Sequence, residues 1–286
     1  MKRYLLTNLG VVISIVFFVL KLWAGLISGS IAVISDALNS FLDVFSYSII
    51  NISVRLQNQA PDRTHPFGHY RAEPLASFII SLVSVMLGGN IVKDAIVSFF
   101  TKKPIVYSPI PLIVLGVAIV TKIVMALFFN FEGKNSNSPA LKAAAIDSRN
   151  DVLASLTAVT GFWLSPTWDS IAALLIGIWV IYSGFKLGMN NIGYLIGEAP
   201  DEAFINKVKA FSLRVPGVMG LNDVRAHFVG SYVHVEVHIE VDPNLKVGQA
   251  HDIGERVRQE LLSIQDVDTV FVHIDVMGDP TRIPLQ

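Results

Sequence analysis

Residues 74–92 read PLASFIISLVSVMLGGNIV, an uncharged and strongly apolar run that follows directly on Arg71 and Glu73. A helix needs roughly 20 mostly apolar residues to cross a bilayer core of about 30 Å, and this run has that length and composition. Residues 104–121, PIVYSPIPLIVLGVAIVT, form a second uncharged run of the same kind. The sequence therefore predicts an α-helical membrane protein.

Further segments of spanning length lie on either side of these runs. The first begins after MKRYLL and resembles a signal peptide, but its apolar run (residues 11–28) is long for a signal core and passes almost directly into another span. We therefore predict that it is retained as a helix. Six transmembrane helices are expected, at approximately 7–28, 31–56, 75–100, 106–130, 139–164 and 168–194.

The charged residues divide the chain into two parts. Of 286 residues 52% are hydrophobic and 16% are charged, whereas soluble domains average about 25% charged residues. Residues 1–200 hold 24 charged residues and residues 201–286 hold 21. We expect a six-helix transmembrane domain at 1–197 and a soluble domain at 198–286. No cysteine is present, which excludes a thiolate zinc site, and a net charge of −1 without a long basic run gives no support for nucleic-acid binding.

The basic residues predict the orientation. An even number of spans places both termini on one side of the membrane, and the side richer in lysine and arginine is cytoplasmic. Lys102 and Lys103 in the third connection favour the opposite orientation. More lysine and arginine residues lie on the other side, in the termini, the second connection and the fourth connection. This majority predicts a multi-pass protein of the cell (inner) membrane with both termini cytoplasmic. The residues on that side are Lys2, Arg3, Arg55, Arg63, Arg71, Lys134 and Lys142.

The spacing of apolar residues changes in residues 201–286, the tail of the chain. Residues 201–215 and 249–263 have helical spacing of apolar residues, whereas 222–230, 232–242 and 267–276 alternate like strands. Gly230 and Ser231 mark a tight hairpin between the first two strands. We predict a C-terminal cytoplasmic α+β domain of the ferredoxin-like (αββαβ) kind.

Carboxylates interrupt two of the predicted spans. The second contains ISDALNSFLDVFS (34–46) and the fifth contains AAIDSRNDVLAS (144–155). Residues four apart share one helix face, so Asn39 with Asp43, and Asp147 with Asp151, each form a pair of oxygen ligands. Because charge inside a bilayer is costly, such residues indicate function, and the two pairs facing each other would form a four-ligand metal pocket.

Other interpretations of these polar residues exist. One carboxylate could pair with Arg149, cap a helix end or face water. Asp36 is expected near a helix start, where an acid is favourable. An oxygen-only ligand set suits Mn²⁺, Mg²⁺ or Ca²⁺, whereas Zn²⁺ usually recruits histidine or cysteine. Affinity order still favours zinc over manganese, so ligand type biases the choice of metal without deciding it.

Histidines form two further candidate sites. Asp62, His65 and His69 lie close together in the second connection, where Pro66 and Gly68 could equally set an ordinary polar turn. The tail holds several more histidines, and alternate residues of a strand share a face. Those that share faces with acidic residues are His234 and His238, beside Glu236 and Glu240, and His273 beside Asp275.

Three stretches together resemble the cation diffusion facilitator family, which exports divalent metal from the cytoplasm in exchange for protons as homodimers. They are ISDALNSFLDVFS, DRTHPFGHYRAEPLAS (62–77) and AAIDSRNDVLAS. The resemblance places the transport site on Asn39, Asp43, Asp147 and Asp151. Zinc-transporting members commonly have histidine where this chain has Asp147, and an Asp-x-x-x-Asp fifth span resembles the manganese-associated branch.

The resemblance also assigns the other two sites. It implies a loop metal site at Asp62, His65 and His69, and a tail site that bridges two protomers. The tail ligands it implies are His238, His251, His273 and Asp275. A further family histidine is replaced here by Asn222, and either His227 or His234 could substitute for it. The tail is accordingly expected to be a metal-sensing and dimerisation domain.

These observations predict a secondary active transporter and not an enzyme. The expected function is Mn²⁺/proton antiport by alternating access, with Zn²⁺ or Fe²⁺ as alternative substrates and no cofactor apart from the transported or regulatory metal. Partners are expected to be a second copy of the chain, metal ions, protons and the lipid bilayer. Two other classes fit the same residues: a metal-gated channel and a membrane-anchored metal sensor. No Gly-x-Ser-x-Gly motif or phosphate-binding loop supports hydrolysis or ATP-driven pumping.

Overall fold

The computed structural model describes residues 2–278 except 58, 103, 136–138 and 231. Met1, Lys103 and Ser231, which the sequence arguments used, lie outside this range. Six long helices come first, as the apolar runs predicted. They are α1 (Lys2–Ser28), α2 (Ile31–Gln57), α3 (Ala72–Thr101), α4 (Pro109–Asn135), α5 (Pro139–Leu164) and α6 (Pro166–Ile196).

Among the described residues, four helices are long and apolar enough to cross a membrane by length and composition: α1 (over Val11–Ser28), α3, α4 (over Pro109–Phe131) and α6. The other two, α2 and α5, have the same length but carry the candidate carboxylates. A polar stripe lowers the hydropathy of a helix without preventing it from spanning, provided that the stripe faces other helices. On α5 the buried stripe runs through Asp151, Ser155, Ala158 and Phe162. The six-helix prediction is therefore retained.

The chain divides into two compact units. The first, Met1–Ile52 with Ser77–Gly188, contains most of the six helices. The second, Ser53–Ala76 with Met189–Gln286, contains the α2–α3 connection and the tail. The core of the first unit is built from small and branched side chains such as Ala32, Val33 and Ala173, together with Leu115 and Phe162.

The start of α2 is capped from another helix. Ser30 Oγ accepts the Val33 amide at 3.1 Å, and Asp169 on α6 accepts the Ile31 amide at 2.8 Å. These contacts satisfy backbone N–H groups that a helix leaves unpaired in its first turn. The expectation that Asp36 serves the helix start was wrong: Asp169 has that position, and Asp36 is fully buried further along α2.

Helices α3 and α6 approach closely where Gly88 faces Gly177 and Ile181. A Cβ atom on Gly88 would lie 2.7 Å from Ile181 Cγ1 and 3.0 Å from the carbonyl oxygen of Gly177. By contrast, a Cβ atom on the neighbouring Gly89 would meet no heavy atom of another described element within 4 Å. Packing through small residues is the usual way in which membrane helices come into close contact.

These two glycines provide a matched test of the packing. Gly88→Val is expected to destabilise the protein by about 2 kcal/mol, because the added atoms overlap backbone that cannot move aside. Gly89→Val removes the same glycine flexibility from the same helix and should have a much smaller effect. Thermal unfolding in detergent compares the two variants, and equal losses would show that α3 and α6 do not pack through Gly88.

The tail confirms the predicted order of elements. It runs α7 (Glu202–Leu213), β1 (Gly220–Val229), β2 (Tyr232–Val241), α8 (Val247–Leu262) and β3 (Val267–Val276). β1 and β2 are antiparallel and β2 and β3 are parallel, in the order β1-β2-β3. Val229 pairs with Tyr232, and Gly230, which follows Val229, adopts a positive φ of 64°.

The two faces of this sheet have different roles. Odd-numbered residues of β2 pack against the helices, and Val208, Val257 and Leu261 of α7 and α8 are fully buried in the same core. Even-numbered residues of β2 lie on the opposite face. That face carries His234 and His238, so it holds the candidate ligands of the tail.

Candidate metal sites

Three of the four predicted transport residues, Asn39, Asp43 and Asp151, lie close together inside the first unit. Asn39 Nδ2 on α2 donates a hydrogen bond to Asp151 Oδ1 on α5 at 3.1 Å. Lys122 on α4 forms a hydrogen-bonded ion pair with Asp151 Oδ2, and its Nζ lies 3.6 Å from Asp43 Oδ2. A buried ammonium group therefore lies between the two carboxylates, where a metal ion would also find its ligands.

One carboxylate oxygen of this group lacks a hydrogen bond. Asp43 Oδ2 is buried and has no hydrogen-bond partner among the described residues, and the Lys122 ammonium group 3.6 Å away compensates its charge. A buried carboxylate oxygen without a hydrogen bond is costly, and an entering ion would relieve that cost. Asp147 lies one turn before Asp151 on α5, with its side chain exposed. The described contacts thus bring Asn39, Asp43 and Asp151 together, and leave Asp147 at the margin of the group.

A second buried lysine lies beside this group. Lys21 Nζ on α1 lies 2.8 Å from Asp36 Oδ2 and donates to Ser40 Oγ at 3.1 Å and Ser155 Oγ at 3.0 Å. Ser155 in turn donates to Asp36 at 2.8 Å. Lys21 and Asp36 are each at most 1% exposed. This network joins α1, α2 and α5 one turn away from Asn39 and Asp151.

Sequence reasoning missed both lysines. Lys122 follows immediately after the apolar run 104–121, and Lys21 lies inside the apolar run of the first span. An ionisable residue in the middle of an apolar helix was the signal that could have found them, because such residues face the bundle interior and pair with an opposite charge. Arg149 was considered as a partner for the carboxylates, and none of the described ion pairs includes it.

The α2–α3 connection gathers its three predicted ligands. Asp62 Oδ1 lies 3.4 Å from His65 Nδ1, and Asp62 Oδ2 lies 3.5 Å from His69 Nε2. The ligand atoms of the three side chains lie within 4.8 Å of one another. The predicted turn is present too: Gly68 has a φ of 80° and its amide donates to the His65 carbonyl at 3.0 Å.

Asp62 is held as a carboxylate. Thr64 Oγ1 and the backbone amides of Thr64 and His65 donate to its Oδ1. The Thr64 side-chain hydrogen bond, followed by the His65 amide, lowers the pKa of Asp62 to about 2. The lowered pKa means that Asp62 takes up a proton only when the pH falls toward 2, so it remains an anionic ligand at any physiological pH.

Asp62→Asn is expected to weaken metal binding at this loop by about ten-fold or more, since an amide replaces an anionic ligand. Because the pKa of Asp62 is about 2, the deficit should be equal at pH 6 and pH 8. Asp201→Asn is the matched control: Asp201 also accepts a backbone amide, at the start of α7, and has no part in the group. Calorimetric titration with Zn²⁺ measures both, and a deficit that vanishes at pH 6 would contradict this assignment.

The tail gathers three of its four predicted ligands. His238 Nδ1 lies 3.4 Å from Asp275 Oδ2, and His273 Nε2 lies 3.2 Å from Asp275 Oδ1. Asn222, at the place of the missing family histidine, donates to Asp275 Oδ2 at 3.0 Å. His251 is separate from this group: it is exposed on α8, which packs against the other face of the sheet.

His227 and His234 do not complete the tail group. They face each other across β1 and β2, four residues along β2 from His238, with ring centres 5.6 Å apart. Four residues of a strand span about 13 Å, so neither histidine can replace Asn222 at Asp275.

Comparison with known protein families matches both parts of the chain. Residues 8–196 match the family described as the cation efflux transmembrane domain. Residues 200–277 match the family described as the cation efflux protein, cytoplasmic domain. The two matches follow each other in the order predicted from the sequence.

Individual relatives cover nearly the whole chain. An uncharacterized transporter of Methanocaldococcus jannaschii, MJ0449, is 33% identical over 94% of this chain and 96% of its own length. The manganese efflux system protein MneP of Bacillus subtilis is 29% identical over 89% of this chain and 90% of its own. Among solved structures, a variant of the MamM CTD is 33% identical, covering 27% of this chain and 98% of that chain, with a TM-score of 0.26.

Proposed function

The chain belongs to the cation diffusion facilitator family of cation efflux transporters, and from that premise we propose that it exports Mn²⁺ from the cytoplasm in exchange for protons. The single observation that carries this proposal is the meeting of Asn39, Asp43 and Asp151 around the Lys122 ammonium group in the helix interior. Ionisable residues inside a membrane are costly and mark ion pathways, proton relays or ligand sites, and this cluster contains the oxygen ligands that a divalent ion requires.

The ligand chemistry supports manganese. Amide and carboxylate oxygens are hard ligands that suit Mn²⁺, and the described residues around Lys122 include neither imidazole nor thiolate. Asp147, where zinc-transporting members commonly have a histidine, is taken as the fourth ligand, one turn from Asp151. One relative, MneP, is itself a manganese efflux system protein. Export of Zn²⁺ or Fe²⁺ through the same site is the alternative within the family.

In the proposed mechanism the charges of Asp43 and Asp151 are compensated at every stage, by Lys122, by the metal ion or by protons. In the empty site Lys122 compensates Asp43 and Asp151. An ion entering from the cytoplasm binds these oxygens, and the ammonium group moves aside because two cations repel each other at such short range. The helices then reorient to open the site on the other face, where protons neutralise the carboxylates and the ion leaves.

Lys21 would hold the neighbouring helices through this cycle. Its contacts with Asp36 and Ser155 join α1, α2 and α5 without involving the transport residues directly. Breaking a buried ion pair by removing one partner costs about 3–5 kcal/mol, so the network resists separation of these helices. It therefore favours movement of α1, α2 and α5 as one body.

The tail is proposed to dimerise and to sense metal. His238, His273 and Asp275 supply three ligands from one protomer, and His251, exposed on α8, is available to a second copy of the chain. The multi-pass helices would lie in the cell (inner) membrane with both termini in the cytoplasm, and the domain boundary would lie near residues 197–198.

Flux into sealed vesicles tests the proposal. Purified protein is reconstituted, a pH gradient is imposed, and Mn²⁺ and Zn²⁺ uptake are measured in parallel. Mn²⁺ uptake that follows the gradient and exceeds Zn²⁺ uptake is the expected result. Faster Zn²⁺ uptake would retain the carrier and overturn the choice of metal. Flux that is insensitive to the gradient would favour a metal-gated channel, and the absence of any flux would favour a membrane-anchored sensor.

A further inference from the structure

The second unit contains a cavity of about 790 Å³ in which the α2–α3 connection lies over the face of the sheet that bears His234. Phe67 of the connection packs against His234 and Phe271, with ring centres 5.8 Å and 6.4 Å away. His227 also lines this cavity. The cavity is therefore a recess within the unit where two histidines from adjacent strands meet.

His227 and His234 have the spacing of two imidazoles on one ion. They are direct partners in the β1–β2 register, so their side chains leave the same face of the sheet side by side. Their ring centres are 5.6 Å apart. Metal–nitrogen bonds of about 2.1 Å in a tetrahedral arrangement place two ring centres roughly 5 Å apart. A small side-chain adjustment thus brings both rings onto a common ion.

Asp268 supplies a carboxylate at the same place. The β2–β3 register passes from Val233–Val267 to His234–Thr269, so Asp268 is the extra residue of a bulge beside His234. Its Oδ2 lies 3.8 Å from His234 Nε2. Its Oδ1 accepts a hydrogen bond from the Tyr70 hydroxyl at 3.1 Å, which fixes the carboxylate from the α2–α3 connection. Bulges frequently redirect a side chain toward a functional site.

The burial and charge state of the His234 ring suit it to bind a cation. Its side chain is 8% exposed, and its Nε2 has no hydrogen-bond partner among the residues that the structure describes. Burial, and next the neighbouring His227, lower the pKa of His234, which keeps the ring neutral. Neutral imidazole is the form that binds metal. Arg71 also lines the cavity, but its side chain is exposed and can turn toward solvent.

We propose that His227, His234 and Asp268 form a site for one divalent transition-metal ion of the class that prefers imidazole, such as Zn²⁺ or Co²⁺. Two imidazoles and a carboxylate are a donor set that such ions accept. The site shares no ligand with the loop group at Asp62 or the tail group at Asp275, although His65 and His69 of the loop group line the same cavity, and it does not depend on the transport proposal. Because Tyr70 holds Asp268, an ion bound there joins the sheet to the α2–α3 connection.

Counting bound metal tests this site in the full-length protein. Tightly bound Zn²⁺ per chain is measured by equilibrium dialysis in detergent for the wild type, His227→Gln, Asp268→Asn and the double variant. His227 is half-buried, and asparagine at 268 still accepts from Tyr70, so the sheet should stay folded. His234→Gln provides a third variant should either of the first two unfold early.

Each single variant is expected to lose one ion per chain, and the double variant should also lose only one because both ligands serve the same ion. Combining His227→Gln with Asp62→Asn should lose two, because the loop group is separate. Unchanged metal content in folded His227→Gln and Asp268→Asn would overturn the proposal. Loss of two ions in the His227/Asp268 double variant would also overturn it, since the residues would then serve different ions.

Discussion

Asp151→Asn is expected to lower metal transport at least about 100-fold while leaving the protein folded. Asp151 joins the two halves of the site, since it accepts from Asn39 and pairs with Lys122. Asparagine preserves the shape and one acceptor oxygen but removes the charge that binds a divalent ion. A 100-fold loss corresponds to about 2.7 kcal/mol, slightly less than the roughly 3–5 kcal/mol for removing one partner of a buried ion pair, which is why 100-fold is the smallest loss expected.

The control for this variant is Asp94→Asn. Asp94 also lies on a spanning helix, α3, but its side chain is exposed and it has no part in the cluster. Initial rates of Mn²⁺ uptake into vesicles, at equal amounts of folded protein, compare the two substitutions with the wild type. Transport by Asp151→Asn within a few-fold of the wild type, with Asp94→Asn unaffected, would show that the ion passes elsewhere.

Lys122→Met is expected to leave a protein that needs metal to remain stable. Methionine has a similar length and no charge, so Asp43 and Asp151 would face each other without the ammonium group between them. An uncompensated buried charge costs about 3–5 kcal/mol. For a domain of this size that corresponds to a fall in melting temperature of roughly 10 °C. Saturating Mn²⁺ should restore most of it, because a ligand that binds only the folded state stabilises that state.

The same substitution should also change transport. With no ammonium group to displace, Mn²⁺ should bind more tightly and leave more slowly, which lowers both KM and kcat. Lys93→Met, an exposed lysine on α3, is the matched control. Melting curves in chelator and in excess Mn²⁺, together with vesicle uptake, measure both effects. A Lys122→Met protein as stable as the wild type in chelator would contradict the role given to this lysine.

Local pattern predicted most of the elements. The apolar runs gave six helices whose observed ends differ by only a few residues, because their length is set by the membrane and their ends by Gly29, Pro109 and Pro166. Alternation in the tail likewise predicted three strands, since one face of the sheet is packed on helices and the other is not. The α7 start at Asp201 follows from the same local chemistry, an acidic N-cap.

Pairing between distant residues could not be predicted in this way. Helical spacing shows which face of α2 is polar, but not that Lys122 of α4 and Lys21 of α1 meet that face. Asp36 was misread for the same reason, since a cap supplied by Asp169 lies more than a hundred positions away in the chain. That the His227 and His234 side chains lie side by side follows only from the register of β1 on β2. This register is defined once the hairpin turn between the two strands is known.

The position of the bound ion in the wild-type protein tests the proposed transport site. Crystals grown with Mn²⁺, and measured for its anomalous scattering, would show where the ion binds and where Lys122 lies. We expect a peak between the Asp43 and Asp151 carboxylates, with the ammonium group moved away from both. A saturated protein in which Lys122 still bridges the two carboxylates, and the only Mn²⁺ peaks lie at the loop or tail groups, would contradict it.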